Sequence, residues 1–278
     1  MTNIQFQISN IQSQLGAVYP AEEAESLAWW IAEETTGLSR TQLLFDCKDT
    51  TKIPNVQKII ERLLLFEPIQ YIFGHTLWDG LDLKVTPATL IPRPETSELV
   101  ERISNFQFPI ANCRVLDVGT GSGCIAISLK KHHPAWQIIG IDVSEEALQV
   151  AKENAIRNNV EVEFQVADIF DSIGQNSTLK YDIVVSNPPY ICNKEKATML
   201  PNVLEYEPAN ALFVPDDNPL LFYRRIASLK WGKYLFFEMN EAYPNELATM
   251  LKELNYTDIR VTNDIYGKPR IIQARMAE

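Results

Sequence analysis

From Cys113 onward, short apolar runs alternate with amphipathic segments, and no other feature of the 278 residues restricts the fold as strongly. Strands are expected over residues 114–118, 137–141, 160–166, 181–186 and 234–238, with two later ones near 258–261 and 270–274. Helices are expected over 124–131 and 145–158, between the early strands. Strands joined through helices require a mostly parallel sheet covered on both faces, so the fold class is α/β. No internal repeat or low-complexity tract interrupts the pattern.

The first seventy residues follow a different period. Ile4, Ile8, Ile11 and Leu15 recur at helical spacing, as do Leu27, Trp30 and Ile31, and then Val56, Ile59, Ile60, Leu63 and Leu64. A small helical bundle is expected over residues 1–70. Ser39 or Thr41 is placed to cap a helix running through Leu44, and Pro54 to enter the first turn of the next. Trp29 and Trp30 are adjacent and cannot share a helix face, so one is expected in the core and the other turned outward. After Pro68 the chain reads Gln70-Tyr71-Ile72-Phe73-Gly74, and Asp79-Gly80 then precedes alternating Leu81, Leu83 and Val85, which signals a β-hairpin. Pro87, Pro92 and Pro94 stiffen the connection that follows. The expected division is a bundle over 1–70, a hairpin and proline-rich linker over 71–95, and a catalytic domain over 96–278.

Composition narrows the class of function. A hydrophobic content of 46% suffices for a buried core, while no apolar run approaches the roughly 20 residues that cross a bilayer. The start Met1-Thr2-Asn3-Ile4-Gln5 lacks the basic and apolar regions of a signal peptide, so a cytoplasmic protein without a membrane partner is expected. Cys47, Cys113, Cys124 and Cys192 form no Cys-x-x-Cys pair and have no histidine at ligand spacing; they are expected as small buried hydrophobes, with no metal site. A net charge of -11 weighs against a stable nucleic-acid partner, which calls for a basic face.

The segment Val115-Leu116-Asp117-Val118-Gly119-Thr120-Gly121-Ser122-Gly123 is a strand running into a glycine-rich turn at a helix start, where a ligand can approach the backbone closely. A dinucleotide fingerprint would be Gly-x-Gly-x-x-Gly, yet position 124 is Cys and the third glycine falls at Gly123. Asp117 would repel a pyrophosphate and attract a cationic amine. These departures favour S-adenosylmethionine, which carries an ammonium and a sulfonium and no phosphate. Asp142 ends the second strand, where a carboxylate can accept both ribose hydroxyls; Asp168 follows the third and can accept from an adenine amino group. Each acid alone could be a helix cap, but acids and glycine turns at three successive strand ends point to one cofactor site.

Asn187-Pro188-Pro189-Tyr190 follows the fourth strand directly. A proline turn is the plain alternative. In an open α/β sheet, however, the crevice beyond the strand ends holds ligands, so Asn187 would face a site on a stiffened loop. Its amide and nearby carbonyls can accept from a substrate NH2 group, and Tyr190 can pack on the same flat group. Arg93 and Glu95, or Glu205 and Glu207, could belong to this cleft or be ordinary surface and helix-end charges. His75, His132 and His133 have no paired nucleophile, so no triad is expected.

Asp117 to Gly123, Asp142 and Asn187-Pro188-Pro189-Tyr190 together resemble a class I methyltransferase acting on a planar nitrogen. Pro68-Ile69-Gln70-Tyr71-Ile72-Phe73-Gly74, Leu90-Ile91-Pro92-Arg93-Pro94-Glu95-Thr96 and Leu204-Glu205-Tyr206-Glu207-Pro208 narrow the resemblance to the release-factor glutamine N5-methyltransferase family, also called PrmC or HemK. The resemblance spans nearly the whole chain. It implies a Rossmann-like, mostly parallel seven-stranded sheet, and methylation of the glutamine amide in the Gly-Gly-Gln motif of bacterial class 1 peptide chain release factors, leaving S-adenosylhomocysteine. It further implies cofactor contacts from Gly119, Thr120, Gly121, Ser122, Gly123, Asp142, Ile169 and Asn187, with Asn187, Pro188, Pro189 and Tyr190 holding the substrate and Asn187, Pro188 and Tyr190 serving catalysis. The release factor would be a protein substrate met by a monomer. Ile169 replaces a commonly aromatic residue, which leaves Phe170 to help form the adenine wall, and Phe237-Glu238-Met239-Asn240 lacks the glycine usual after that strand. Two rival readings remain on the residues alone: an adenine-N6 methyltransferase of DNA or RNA, and a silent methyltransferase-like scaffold.

Overall fold

The computed structural model describes residues 3–45, 52–171 and 181–277, and Cys47 lies outside them. The chain forms two compact units: Met1–Gly74 with Pro201–Tyr206, and His75–Leu200 with Glu207–Glu278. The division therefore falls at Gly74, four residues beyond the expected bundle, and the short helix Pro201–Tyr206 clusters with the smaller unit although its sequence position is within the catalytic region.

In the smaller unit, helices Asn3–Leu15, Ala21–Thr36 and Val56–Leu64 bury the apolar stripes anticipated from their spacing, with Ile4, Ile8, Ile11 and Leu15 packed against Leu27, Ile31, Ile60 and Leu63. Ser39 is the cap of Arg40–Leu44: its hydroxyl accepts from the Gln42 amide while the Gln42 side chain accepts from the Ser39 amide at 2.8 Å. Pro54 precedes the next helix, which starts at Val56 after Asn55, because the chain turns through a left-handed residue there. The tryptophan expectation needs correction as well. Trp29 and Trp30 are both half-buried; the Arg40 guanidinium covers Trp29 at 4.5 Å, and Trp30 donates to Glu34 at 3.2 Å. Ile69–Phe73 is a helical turn closed by left-handed Gly74, so the hairpin begins only at His75. Tyr206 donates to the Leu65 carbonyl at 2.8 Å, tying Pro201–Tyr206 to this unit.

The larger unit is built on a seven-stranded sheet: Arg114–Val118 (β1), Gln137–Asp142 (β2), Glu163–Val166 (β3), Tyr181–Ser186 (β4), Gly232–Glu238 (β5), Tyr256–Asn263 (β6) and Pro269–Met276 (β7). Their spatial order is β6-β7-β5-β4-β1-β2-β3, parallel except for β7, which runs antiparallel to both of its neighbours. The two-residue period of a strand assigns side chains to opposite faces. Val115, Ile183, Val185 and Phe236 meet helices Thr96–Ser104, Cys124–His132 and Glu145–Arg157; Leu116, Val184, Leu235 and Phe237 meet Leu221–Ser228 and Pro244–Glu253. The hairpin His75–Trp78 with Leu81–Lys84 is fixed by buried Asn154, which accepts from the Lys84 amide at 2.6 Å and donates to the carbonyls of Lys84 and Ser122, both at 2.9 Å. One amide thus joins the hairpin to the glycine turn. Of the three described cysteines, Cys113 and Cys192 are buried and Cys124 is half-buried, as small apolar residues would be. Among the described residues, no helix is long and apolar enough to cross a membrane.

Gly140, in β2, packs under the Phe164 ring and the Thr120 hydroxyl: a Cβ there would lie 2.8 Å from two ring carbons and 2.9 Å from Thr120 Oγ1. Gly140→Ala is expected to lower the unfolding free energy by about 1–3 kcal/mol, the usual cost of overpacking, in a urea titration. An unchanged midpoint and slope would show that this contact does not constrain the core.

Candidate active site

The parallel strands stop at one edge of the sheet, and their following loops line a single cleft of about 1080 Å³, including its open mouth. β1 contributes Gly119, Thr120, Gly121 and Ser122; β2 contributes Asp142; the loop after β3 contributes Asp168, Ile169 and Phe170; the loop after β4 contributes Asn187, Pro188 and Pro189. All eleven were nominated from the sequence and meet here, while Asp117, Gly123 and Tyr190 do not line the cleft.

The glycine turn is held by backbone bonds. The Ile141 carbonyl accepts from the amides of Gly119 and Thr120, each at 2.9 Å, and Asp142 Oδ2 accepts from the Gly121 amide at 2.9 Å. Gly119 and Gly121 take φ of +69° and +54°, and a Cβ on either would enter open space, so the turn presents bare backbone to the cleft. Asp142 Oδ1 also accepts from the Ser144 amide at 3.0 Å, which leaves each oxygen a further lone pair for a ligand. Asp168 Oδ1 accepts from the Phe170 amide at 2.8 Å.

Asp117 lies beneath this turn, fully buried. Its Oδ2 accepts from Thr120 Oγ1 at 2.6 Å, whereas Oδ1 is buried without a hydrogen-bond partner. Burial pushes its pKa up to about 7; the Thr120 hydroxyl and Ala126 amide pull it back, and the charge of Asp142 adds to the rise. A positive group placed nearby would lower that pKa again.

Ile169 and Phe170, the residues expected to border an adenine, line the cleft together with Phe222. Ile169 is almost fully buried with its carbonyl held by the Arg225 guanidinium, and exposed Phe170 meets Phe222 edge-on at 5.4 Å, with Phe222 also lining the cleft. Phe222 could not be found from the sequence, because it arrives from a helix fifty residues downstream of the third strand's loop.

The second set of residues missed by sequence surrounds Asn187. Its Nδ2 donates to Thr96 Oγ1 at 3.2 Å, Thr96 donates to Glu238 Oε2 at 2.6 Å, and Tyr190 donates to Glu238 Oε1 at 3.0 Å. Glu238 is buried, and burial raises its pKa; the two hydroxyls and Arg270 oppose that rise, and Glu95 adds to it. The Tyr190 hydroxyl is anchored at the end of β5, and burial, with the charge of Glu238 beside it, raises its pKa. In the segment that lacks the glycine, Asn240 donates to the Tyr190 carbonyl at 3.1 Å and so fixes the loop from below. The one available sequence signal was an acid closing an otherwise apolar strand, the position also held by Asp142. Arg93 forms no surface pair with Glu95. It bonds buried Glu207 at 2.6 Å, and the second Glu207 oxygen accepts from the Ile91 amide at 3.2 Å, which shapes the proline-rich wall of the cleft.

Two family models match the chain: a methyltransferase domain over residues 110–219 and the PrmC N-terminal domain over residues 8–74. A release factor glutamine methyltransferase of Bacteroides thetaiotaomicron is 44% identical over 276 residues, covering 95% of this chain and 97% of its own. The chain belongs to the release factor glutamine methyltransferase family. A second family member, from Flavobacterium psychrophilum, is 40% identical and covers 96% of this chain and 98% of its own. Among solved structures, the hMettl16 catalytic domain in complex with MAT2A 3'UTR hairpin 6 matches with a TM-score of 0.55 at 20% identity, over 72% of this chain and 77% of its own. A methyltransferase from Pyrococcus furiosus matches with a TM-score of 0.52 at 17% identity, over 81% of this chain and 99% of its own. These structural likenesses establish the class I methyltransferase fold, and the family membership establishes a methyltransferase.

Asp117 generates a pH test. Its folded pKa lies above its unfolded value, so its contribution to stability is complete below about pH 4 and is lost as pH rises through about 7. In ligand-free protein, Asp117→Asn is expected to gain stability relative to the parent across that window, on the order of 4 kcal/mol in total. Parallel stability curves for the two proteins would contradict this.

Proposed function

We infer that this chain transfers a methyl group from S-adenosylmethionine to the side-chain amide nitrogen N5 of the glutamine in the Gly-Gly-Gln motif of bacterial class 1 release factors. The observation that carries the reading is the placement of Asn187 and Pro188 at the rim of the same cleft as the glycine turn, with the Asn187 NH2 group engaged by Thr96 and its Oδ1 therefore available. The names of the family members supply the substrate. We assign release-factor recognition to the helical unit, which the PrmC N-terminal domain model matches over residues 8–74.

The residues fit the cofactor on three counts. The unpartnered Asp117 oxygen beneath the turn provides a negative field for an ammonium group, the Cβ-free backbone of Gly119 and Gly121 leaves room for close approach, and Asp142 keeps lone pairs for ribose hydroxyls. Asp168, Ile169 and Phe170 would border the adenine, with Phe222 across from Phe170. When bound, S-adenosylmethionine supplies an electrophilic methyl group on a positively charged sulfur.

An amide nitrogen is a weak nucleophile because its lone pair is delocalised into the carbonyl, and alignment is what the protein can contribute. Asn187 Oδ1 and the Pro188 carbonyl accept the two amide hydrogens of the substrate glutamine, which raises electron density on nitrogen and aims it into the cleft. Tyr190 holds the loop through its bond to Glu238. The mostly apolar wall of Ile169, Phe222 and Ile226 limits water, which favours a reaction that disperses charge. One proton leaves the methylated nitrogen for solvent at the open mouth of the cleft.

Labelled S-adenosylmethionine and a purified release factor test the reading. Label is expected on the release factor, and on none of a variant factor whose motif glutamine is replaced; label on DNA or RNA instead would overturn the proposal. Asn187→Ala is expected to lower turnover by at least about a hundredfold while cofactor affinity changes less than about tenfold. A matching collapse of cofactor affinity would contradict the role given to Asn187. The charge of Asp117 predicts a further linkage: cofactor affinity should rise from pH 5.5 to about pH 7 in the parent and stay flat in Asp117→Asn. Equal slopes would remove Asp117 from cofactor binding.

A further inference from the structure

We propose that Thr96 and Glu238 act as positioning residues that determine which way round the Asn187 carboxamide faces, and thereby make Asn187 an acceptor for the substrate amide. The inference rests on the reading of Asn187 as that acceptor. It follows from counting donors and acceptors along the chain of contacts from β5 to the loop after β4.

Glu238 is the terminal acceptor. Both of its oxygens receive hydroxyl protons, Oε2 from Thr96 at 2.6 Å and Oε1 from Tyr190 at 3.0 Å. A hydroxyl carries one hydrogen. With that hydrogen directed at Glu238, Thr96 Oγ1 presents only lone pairs to Asn187, and the Asn187 atom 3.2 Å away must be the NH2 nitrogen. The Asn187 carbonyl oxygen is then directed away from Thr96. In the reversed orientation, two oxygens would face each other at Thr96, and an NH2 group would confront the NH2 group of the substrate glutamine. The polarity of a buried carboxylate thus reaches the cleft through one hydroxyl.

The relay is built rigidly. Thr96 opens the helix Thr96–Ser104 and is 2% exposed, and Glu238 ends β5 at 1% exposed. Tyr223 donates to the Glu238 backbone carbonyl at 3.0 Å and fixes the strand end. The charged and titratable groups facing Glu238 are Arg270, which favours its ionised form, and Glu95, Tyr190, Tyr223 and Cys124. An ionised carboxylate accepts from both hydroxyls and has no hydrogen of its own to donate; a glutamine would present NH2 to one of them, and where that one is Thr96, its hydrogen becomes free to turn Asn187 around.

The test compares Thr96→Val, which removes the hydroxyl at nearly constant shape, with Thr96→Ser, which keeps it, and with Glu238→Gln. The readouts are kcat and KM on a release factor, the affinity for S-adenosylhomocysteine, and the side-chain amide NMR signals of Asn187, assigned by their loss in Asn187→Ala. Thr96→Val is expected to lower kcat by about tenfold or more with cofactor affinity within about twofold, and Thr96→Ser to recover kcat to within about threefold of the parent. Slow hydrogen exchange of the Asn187 amide should be present in the parent and Thr96→Ser and lost in Thr96→Val. Glu238→Gln should lower kcat and shift the same signals. Parental kcat in Thr96→Val, or Thr96→Ser as slow as Thr96→Val, would overturn the proposal. A parent protein inactive on release factors would defeat the functional reading alone; the NMR comparison would still decide the orientation of Asn187.

Discussion

At the edge of the sheet, Ser186 Oγ donates to the Val118 carbonyl at 2.6 Å and joins the last residues of β1 and β4. The bond lies where the parallel pairing of Leu116 with Val184 and Asp117 with Val185 runs out. It is fully buried on the Ser186 side, so breaking it would leave a polar group without water. This junction holds the glycine turn and the Asn187 loop side by side. The glycine turn and Asn187 line one cleft because these two strands are neighbours, are parallel and end together.

Two buried acids serve that cleft in different ways. Glu238 has each oxygen occupied by a hydroxyl and Arg270 nearby, so it sets orientation from a satisfied position. Asp117 has one oxygen bonded to Thr120 and the other unpartnered. The first contact set is complete within the protein, while the second leaves one oxygen unpartnered. A full set of partners fixes geometry, and an incomplete one beneath a bare backbone turn creates affinity for a charge.

The sequence reading recovered what depends on local pattern. The run 114–118 and the run 181–186 are strands with those ends, because each is apolar, β-branched and closed by a turn signal. Asp117, next to last in β1, Asp142, the last residue of β2, and Asn187, directly after β4, lie where those strands end. Ile69–Phe73 was read towards the hairpin: four of its five residues are apolar or aromatic and suit a strand or a helical turn, and Gly74 in the left-handed region decides for the turn. The pairing of long-range partners had no sequence signal. Thr96 and Glu238 stand 142 positions apart, and Arg93 and Glu207 stand 114 apart, so only the folded sheet reveals either pair. Trp29 and Trp30 show the same limit, since the Arg40 guanidinium, and not helix phase alone, covers Trp29.

The most direct measurement is a crystal structure of the chain with S-adenosylhomocysteine and a peptide containing Gly-Gly-Gln. The expected result places the glutamine nitrogen within hydrogen-bond reach of Asn187 Oδ1 and the Pro188 carbonyl, facing the sulfur, with the Asn187 NH2 group still on Thr96. A glutamine side chain held elsewhere, or an Asn187 amide turned to face Thr96 with its oxygen, would contradict the assignment at its centre.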